Sequence, residues 1–468
     1  MVRSASRISL LLSFLLATLL SSSQTVTFKH IVVIFQENRT PDNLFGSNPN
    51  FEPGVDIATF GINSKGNKIP LKATPLSYCY DLGHSHTAFE SMYDNGKMDG
   101  ANLIKVAKDP GCVVPASPQF KFVDNSTGTV QPYFDLATQY GFANRMFQSN
   151  QGPSFPAHQF IISGTSAPET NSPLFASENM QVKAAAGCLG PPNQLVTVID
   201  PLGSETSNPP IYPCFEHPTL TDVLETAGVT WKYYTPAAGS IWTGPDAINH
   251  ICIPKTRKGK LVCTGADWVN NVVIPQTNVL TDIQSCHLAA VSWVIPTAAQ
   301  SDHARSNDGS GPAWVASIVN TVGSNPACPN TGEVYWKDTA ILITWDDWGG
   351  WYDHVPPYRI GQDNGWGTGY VYGFRVPLIV VSAYTPAGYV NNVNHDFGSI
   401  LKFIETNFGA PGVPLGPIGP GTYADSYANN LGTFFSLTTP RPFQMIPAKY
   451  DANYFIHNQS PLLGPDDD

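Results

Sequence analysis

Short, continuous runs of apolar residues constrain the fold of this chain more than any other feature of its sequence. These runs are rich in Val and Ile and comprise His30–Gln36, His287–Ile295, Thr339–Trp345 and Pro377–Tyr384. Apolar runs of about four to eight residues are typical of strands that are covered on both faces, as in parallel sheets. Each run therefore predicts a buried strand rather than a strand with one face in water.

Helical patterns lie between these apolar runs. Thr219–Ala227 begins with a capping Thr, Pro312–Val322 carries an apolar stripe, and Asp396–Phe408 begins with a capping Asp. Strands that alternate with helices predict an α/β sandwich. Stretches rich in proline and glycine near 187–213, 355–372 and 409–422 predict long loops over the active face.

The N-terminus predicts a secretory signal peptide over residues 1–23. Arg3 and Arg7 precede the 13-residue apolar run Ile8–Leu20, and three serines follow it. An uncleaved membrane anchor is the alternative, although a bilayer span needs about 20 apolar residues. We expect a secreted or periplasmic protein without stable membrane insertion, in which 24–468 form a single catalytic domain.

The net charge indicates which partners are not expected to bind, and the cysteine content indicates the cellular compartment. The formal net charge of −11 argues against a nucleic-acid partner, because such proteins carry a basic face. The one basic cluster, KTRKGK at 255–260, is typical of a hairpin turn. Eight cysteines in an exported chain predict disulfides, with Cys252–Cys263 across that turn as the first expected pair.

Polar residues follow three of the predicted strands at their carboxyl ends. They are Glu37 and Asn38, Asp302 and His303, and Asp346 and Asp347. Ligands of open α/β sheets bind beyond these ends, and oxygen donors with a few imidazoles suit a divalent metal ion. A metal would also relieve the repulsion between two adjacent aspartates. The alternative is that these residues cap helices or turns; the identity of the metal is left open.

Ser154 is the candidate nucleophile. It lies in QGPSFPAH, where Pro156 suits the first turn of a helix that HQFIISG continues. Backbone N–H groups and the dipole at a helix N-terminus favour a phosphate anion, and a metal would lower the pKa of the hydroxyl. The alternative is that Ser154 only caps the helix. No G-x-S-x-G motif is present, which disfavours a carboxylester hydrolase.

Histidines provide candidate acid–base groups. His84 and His86 lie in DLGHSH, and His354 follows the double glycine in DDWGGWYDH. Two or three imidazoles that converge on one site could bind phosphate oxygens and protonate a leaving group. A single histidine is more often structural. A catalytic role therefore requires that at least two of these histidines lie in the same site.

Taken together, these segments resemble the phosphoesterase family that contains bacterial phospholipases C, plant non-specific phospholipases C and certain acid phosphatases. The resemblance spans about residues 28–410 and is carried by HIVVIFQENRTPDNLFG, DLGHSH…NGKMDG, QGPSFPAHQFIISGTS, ILITWDDWGGWYDHVPP and HDFGSILKFIETNFG. It implies an alkaline-phosphatase-like, three-layer α/β sandwich with a central, mainly parallel sheet between helices.

By motif position, the resemblance also implies a metal-dependent active site. The implied metal ligands are Glu37, Asn38, Asp346 and Asp347. The implied nucleophile is Ser154, and the histidines implied to contact phosphate or the leaving group are His84, His303 and His354. Asp302 and Asp396 are weaker matches to the family pattern.

The resemblance therefore predicts a phosphoric-ester hydrolase of the phospholipase C type that acts through a phosphoserine. Substrate choice stays open, because Thr40-Pro41-Asp42, the Asp346–Asp347 pair and the SDHA around His303 depart from the usual family pattern. An acid phosphatase acting on phosphomonoesters is the first alternative, and a non-catalytic binding protein on the same scaffold is the second. Aromatic residues in the loops could contact a phospholipid or simply cover the core; they are Trp348, Trp351, Tyr352, Trp366, Tyr370 and Tyr372.

Overall fold

An eight-stranded, mainly parallel sheet forms the centre of the computed structural model. In chain order its strands are β1 His30–Gln36, β2 Gly141–Ala143, β3 Trp231–Tyr234, β4 Val272–Val273, β5 Val291–Val294, β6 Thr339–Trp345, β7 Leu378–Ser382 and β8 Tyr389–Asn391. Their spatial order is β4-β3-β5-β1-β6-β7-β2-β8. Strands from β4 to β6 in this order are parallel, whereas β7 runs antiparallel to β6 and β2.

The structure describes residues 26–205, 208–358, 370–410, 413–416, 418 and 423–458. The predicted signal peptide at 1–23 lies outside this part of the chain. So do residues 359–369 of the predicted loop 355–372 and much of the predicted loop 409–422. Among the residues described, no helix has the length and apolar character that a bilayer crossing requires.

Two of the predicted strands have the bounds that the sequence indicates, namely β1 and β6. The run His287–Ile295 yields the shorter strand β5, and Pro377–Tyr384 yields β7. The parallel direction expected for Pro377–Tyr384 is wrong, since β7 is antiparallel to β6. A buried apolar run specifies burial on both faces, whereas strand direction depends on the connection.

Helices surround the sheet. They are α1 Pro41–Phe45, α2 His86–Tyr93, α3 Gln131–Gln139, α4 Ser154–Ser163, α5 Leu220–Thr226, α6 Asn249–Cys252, α7 Ala266–Asn271, α8 Asn278–Gln284, α9 Gly311–Ser324, α10 Tyr335–Asp338, α11 Phe397–Phe408, α12 Ala424–Tyr427 and α13 Ala452–His457. Short 3₁₀ turns occur at Asp94–Gly96, Ala101–Leu103, Gly187–Leu189, Gly244–Ala247 and Gly432–Phe434. The three predicted helices correspond to α5, α9 and α11.

The helices form two packed groups. One group contains α4, α5, α11 and α12, and the other places α3, α8, α10 and α13 against α9. Strands β1 and β6 are buried along their whole length, so both faces of the sheet are covered. The architecture is therefore an α/β sandwich of three layers, as the sequence predicts.

Short two-stranded pairs and disulfides hold the connections outside the sheet. The paired strands are Phe60–Ile62 with Lys68–Pro70, Lys72–Thr74 with Lys121–Val123, Tyr80–Leu82 with Val106–Lys108, Phe175–Ala176 with Val198–Ile199, and Pro254–Arg257 with Lys260–Cys263. The disulfides are Cys79–Cys112, Cys188–Cys214, Cys252–Cys263 and Cys286–Cys328, which pair all eight cysteines. The predicted pair Cys252–Cys263 is confirmed.

Candidate active site

The register of β1 and β6 brings two polar segments to the same edge of the sheet. Gln36 lies beside Trp345 at the last paired position, so the residues that follow both strands leave the sheet together. Asn38 has φ 62°, a left-handed conformation that Asn tolerates better than most residues. Its backbone N–H donates to Asp346 Oδ1 at 3.0 Å, which ties the two segments to each other.

A close approach between the same two loops fixes this arrangement. Gly349 has φ 60°, and a Cβ added there would lie 2.5 Å from the backbone oxygen of Asn38. The Gly349 N–H donates to Asp347 Oδ1 at 2.7 Å and so orients that carboxylate. Any larger residue at this position would meet the backbone of the strand-end loop.

Helix α4 brings the predicted nucleophile to these carboxylates. Ser154 is the first residue of α4, and its Oγ lies 3.3 Å from Asp347 Oδ2 and 3.5 Å from Glu37 Oε2. Pro153 is the N-cap, and no side chain caps this helix end. The hydroxyl of Ser154 therefore faces the carboxylates instead of serving as the helix cap.

The cluster formed by Glu37, Asn38, Ser154, Asp346 and Asp347 is fully buried, with each residue 0% exposed. Two of its acceptors, Asn38 Oδ1 and Asp346 Oδ2, have no hydrogen-bond partner among the described residues. Three buried carboxylates that converge without a compensating charge would be costly. The charge, the oxygen donors and the two acceptors all fit a divalent metal ion.

His158 is part of this site although the sequence reasoning missed it. It lies on α4 one turn after Ser154, and its Nε2 is 3.3 Å from Glu37 Oε1 and 3.9 Å from Asp346 Oδ2. Burial lowers the pKa of His158 to about 4, against the opposing charge of Asp346. The spacing of four residues in SFPAH, which places both side chains on one helix face, was the available signal.

His84 orients the amide of Asn38. Its Nδ1 lies 2.9 Å from the backbone oxygen of Leu82, so this nitrogen carries the proton and donates it. Its Nε2 then accepts from Asn38 Nδ2 at 3.1 Å, and it also lies 3.9 Å from Asp347 Oδ2. With the amide nitrogen engaged, the Asn38 oxygen is the atom available as a ligand.

His303 stands beside His84. The two ring centroids are 5.9 Å apart, and the indole of Trp242 lies 6.1 Å from His303 on another side. The Nδ1 atom of His303 is 2.7 Å from the backbone oxygen of Ala304 and 3.6 Å from Asp81 Oδ2. These contacts on Nδ1 fix the orientation of the ring beside His84.

The third predicted histidine, His354, belongs to a different group. Its Nδ1 lies 2.8 Å from Asp42 Oδ2 and its Nε2 lies 3.0 Å from Asp56 Oδ1. Burial lowers the pKa of His354, but the hydrogen bond and charge of Asp42 outweigh it and raise the pKa. Arg375 bonds both Asp42 and Asp353, so Asp42, Asp353 and His354 form an ion-pair network although their spacing could suit a metal.

The two weaker candidate residues have structural contacts. Asp302 Oδ2 accepts hydrogen bonds from Tyr133 and from Trp345 beneath the site, and burial raises the pKa of Asp302 to about 6. Asp396 caps α11 and accepts from Ser149, and burial raises its pKa to about 7. Both carboxylates therefore support neighbouring elements.

The loop aromatics cover the core. Trp348, Trp351, Tyr352, Tyr370 and Tyr372 are all at most 4% exposed. The predicted Trp366 lies outside the described residues. The described members of this set thus offer little surface for contact with a lipid.

The sandwich and its buried cluster define an α/β protein with a candidate metal centre at the carboxyl ends of its strands. The chain belongs to the Phosphoesterase family, whose model matches residues 28–411. That match covers the strands, α4 and every residue of the cluster.

The relatives of this chain include proteins named phospholipase C. Non-hemolytic phospholipase C of Pseudomonas aeruginosa is 22% identical over 93% of this chain and 61% of its own length. Non-specific phospholipase C1 of Arabidopsis thaliana is 24% identical over 80% of this chain and 66% of its own length. The chain thus spans less than two thirds of either relative.

Among solved structures, a protein in the alkaline phosphatase superfamily from Vibrio parahaemolyticus is similar at 10% identity. The match covers 85% of this chain and 70% of that chain, with a TM-score of 0.34. This score is too low to establish a shared fold, so the α/β architecture rests on the sheet topology.

Proposed function

We propose that this protein is an exported, metal-dependent phosphoric-ester hydrolase of the phospholipase C type, with Ser154 as its nucleophile. The observation that carries the proposal is the position of the Ser154 hydroxyl, 3.3 and 3.5 Å from carboxylates on two different loops. A serine that only stabilised its helix would have no reason to face a buried acidic cluster. Membership of the Phosphoesterase family supports the same reaction class.

The proposed metal ligands are Glu37, Asn38, Asp346 and Asp347, and the ion is divalent. Bound there, it would supply the positive charge that lowers the pKa of the Ser154 hydroxyl and offsets the charge of the phosphate. The donor set fits this role because two of its oxygens have no partner among the described residues. His84 keeps the Asn38 oxygen directed to the cluster by accepting from the amide nitrogen.

The remaining steps use groups of the chain itself. Ser154 Oγ loses its proton to water, attacks phosphorus in line and forms a phosphoserine, while the bond from phosphorus to the alcohol oxygen breaks. The positive end of the α4 dipole favours the phosphate at this position. Water then attacks the phosphoserine, regenerates the hydroxyl and releases phosphate or a phosphomonoester.

We assign protonation of the leaving alcohol to His303 instead of His354. His303 lies against His84, whose Nε2 contacts the cluster, whereas both ring nitrogens of His354 are bonded to carboxylates. A general acid must lie within hydrogen-bond reach of the leaving oxygen. The contact of His303 with His84, which itself touches the cluster, supports His303 for this role.

The names of the relatives favour a phosphodiester substrate, with a phospholipid as one member of that class. A phosphomonoester is the alternative, and the burial of the described loop aromatics favours it over a lipid. A non-catalytic binding protein is disfavoured by the hydroxyl that faces the carboxylates. Export is supported by four disulfides, since these persist in oxidising compartments.

The test compares Ser154→Ala with wild type on nitrophenyl phosphate, its diester and phosphatidylcholine, with and without a chelator. We expect turnover to fall by about 10³-fold or more in Ser154→Ala and after metal removal. Ser163→Ala is the matched control, because this buried serine lies on the same helix about 13 Å further along the axis.

Mass spectrometry of acid-quenched wild type should detect a phosphorylated Ser154. Near-full turnover by Ser154→Ala, at a level that Ser163→Ala also shows, would rule out Ser154 as the nucleophile. Diester turnover without monoester turnover would identify the phospholipase C type, and the reverse would identify a phosphatase.

A further inference from the structure

We propose that His158 is a nitrogen ligand of the same metal, through Nε2, and that it directs the site towards Zn²⁺ and away from Mg²⁺ and Ca²⁺. The inference rests on the proposed metal site and extends it to a residue outside the predicted ligand set. His158 is fully buried on α4 and faces Glu37 and Asp346.

The separations between polar atoms in the cluster are those of ligands that share an ion. His158 Nε2 lies 3.3 Å from Glu37 Oε1 and 3.9 Å from Asp346 Oδ2, and one ligand atom from each of the three residues lies within 4.8 Å of the others. Nitrogen and oxygen ligands bind Zn²⁺ at about 2.0–2.2 Å, which places two ligand atoms of one ion up to about 4.4 Å apart.

The alternative is a hydrogen-bonded ion pair between His158 and Glu37. Charge-assisted N–H···O bonds are shorter, at about 2.7–2.9 Å. The contacts of Ser154 Oγ in the same cluster, at 3.3 and 3.5 Å, are also longer than ordinary O–H···O bonds. Several polar atoms that are each slightly too distant for a strong hydrogen bond point to a shared ligand sphere.

Packing around α4 holds the imidazole in this position. A Cβ at Gly244 would lie 2.7 Å from the backbone oxygen of His158, so the 3₁₀ turn at Gly244–Ala247 sits directly on this helix. Phe35 contacts the ring of His158 with centroids 6.0 Å apart. Since Ser154 and His158 are four residues apart on one rigid helix, they reach the cluster together.

The donor set determines which ions bind well. Carboxylate and amide oxygens alone suit Mg²⁺, Ca²⁺ and Mn²⁺, whereas imidazole suits Zn²⁺ and its transition-metal neighbours. Replacing the imidazole with an oxygen donor of similar size should therefore change ion preference while the carboxylates remain. His158→Gln makes this replacement.

The experiment titrates metal-free full-length protein with Zn²⁺, Co²⁺ and Mg²⁺ by calorimetry, and records the visible spectrum of the Co²⁺ form. We expect His158→Gln to lose at least about 100-fold in Zn²⁺ and Co²⁺ affinity, to keep its Mg²⁺ affinity and to change the Co²⁺ spectrum. His217→Gln is the control, because His217 is another buried histidine, 2% exposed, whose Nδ1 lies 3.1 Å from the Pro218 oxygen.

The outcomes separate this inference from the proposed function. Wild-type Zn²⁺ affinity and Co²⁺ spectrum in His158→Gln would overturn the ligand role of His158 and leave the metal site standing. Absence of divalent-ion binding by wild type would overturn both. If His158→Gln unfolds, His158→Asn, which is shorter and also polar, serves for the same titrations.

Discussion

Replacing Gly349 with Ala should damage the site more than its size suggests. Two costs act at this position. An alanine at φ 60° occupies the left-handed region, at about 1–2 kcal/mol. Its Cβ would also lie 2.5 Å from the backbone oxygen of Asn38 and 2.6 Å from the Asn38 Cβ, and such overpacking costs about 1–3 kcal/mol.

Gly332→Ala separates these two costs. Gly332 has φ 68°, and a Cβ added there meets nothing within 4 Å. Both substitutions carry the same backbone cost and the same gain from restricting the unfolded chain. The difference in unfolding free energy between the two variants should therefore equal the packing cost alone, about 1–3 kcal/mol.

The assay is urea denaturation of wild type and both variants, followed by calorimetric titration with Zn²⁺. We expect Gly349→Ala to be the less stable variant and to bind the ion at least about 10-fold more weakly, because Asn38 must move. Gly332→Ala should bind it as wild type does. Equal destabilisation by the two variants, or unchanged Zn²⁺ affinity in Gly349→Ala, would refute the claim that this approach positions Asn38.

Three further predictions concern stability. The pKa of His354 is raised in the folded protein, so its protonation stabilises the fold. This stabilisation is complete below the unfolded pKa of about 6.5 and is lost as pH rises through the folded pKa. The difference in unfolding free energy between wild type and His354→Gln should therefore shrink from pH ~5.5 to ~9. Burial raises the pKa of Glu405 to about 8, so the contribution of this residue to wild-type stability falls as pH rises from about 4.5. Thermal unfolding at pH ~8 should therefore show that Glu405→Gln is more stable than wild type. Replacing Cys79 and Cys112 together by Ser should lower the unfolding free energy by about 3–4 kcal/mol in urea titrations, because their disulfide closes a loop with a sequence separation of 33 residues.

The parts of the fold that the sequence predicts well are those with long, uninterrupted burial. Strands β1 and β6 are buried through their whole length and largely apolar, and so their bounds could be read directly. Strands β2, β3 and β8 were not predicted, since they are three or four residues long and GFA, WKYY and YVN carry no distinctive period. Their strand character comes from pairing with neighbours in the sheet.

The candidate site divides in the same way. Glu37, Asn38 and the two aspartates could be predicted together because they end adjacent buried strands. His158 was missed because the sequence argument used only the position of Ser154 at the start of the helix. The proposed ligand lies one turn further along the same helix face. Which loop reaches which cluster depends on tertiary packing, and no local pattern carries that information.

His354 shows how few residues decide this placement. Only seven positions separate it from Asp347 in the sequence, yet its imidazole lies in a different polar group, between Asp42 and Asp56. Gly349 and Gly350 have φ 60° and 72°, and a Cβ on Gly350 would lie 2.5 Å from the Leu82 Cβ, so the chain turns through a passage that only glycines fit. Beyond this turn the loop reaches Asp42 and Arg375. There both ring nitrogens of His354 form hydrogen bonds with carboxylates. The double glycine therefore connects two buried polar groups whose negative charge is balanced differently. Around His354, Arg375 offsets the carboxylates, whereas the carboxylates around Ser154 fit a bound cation.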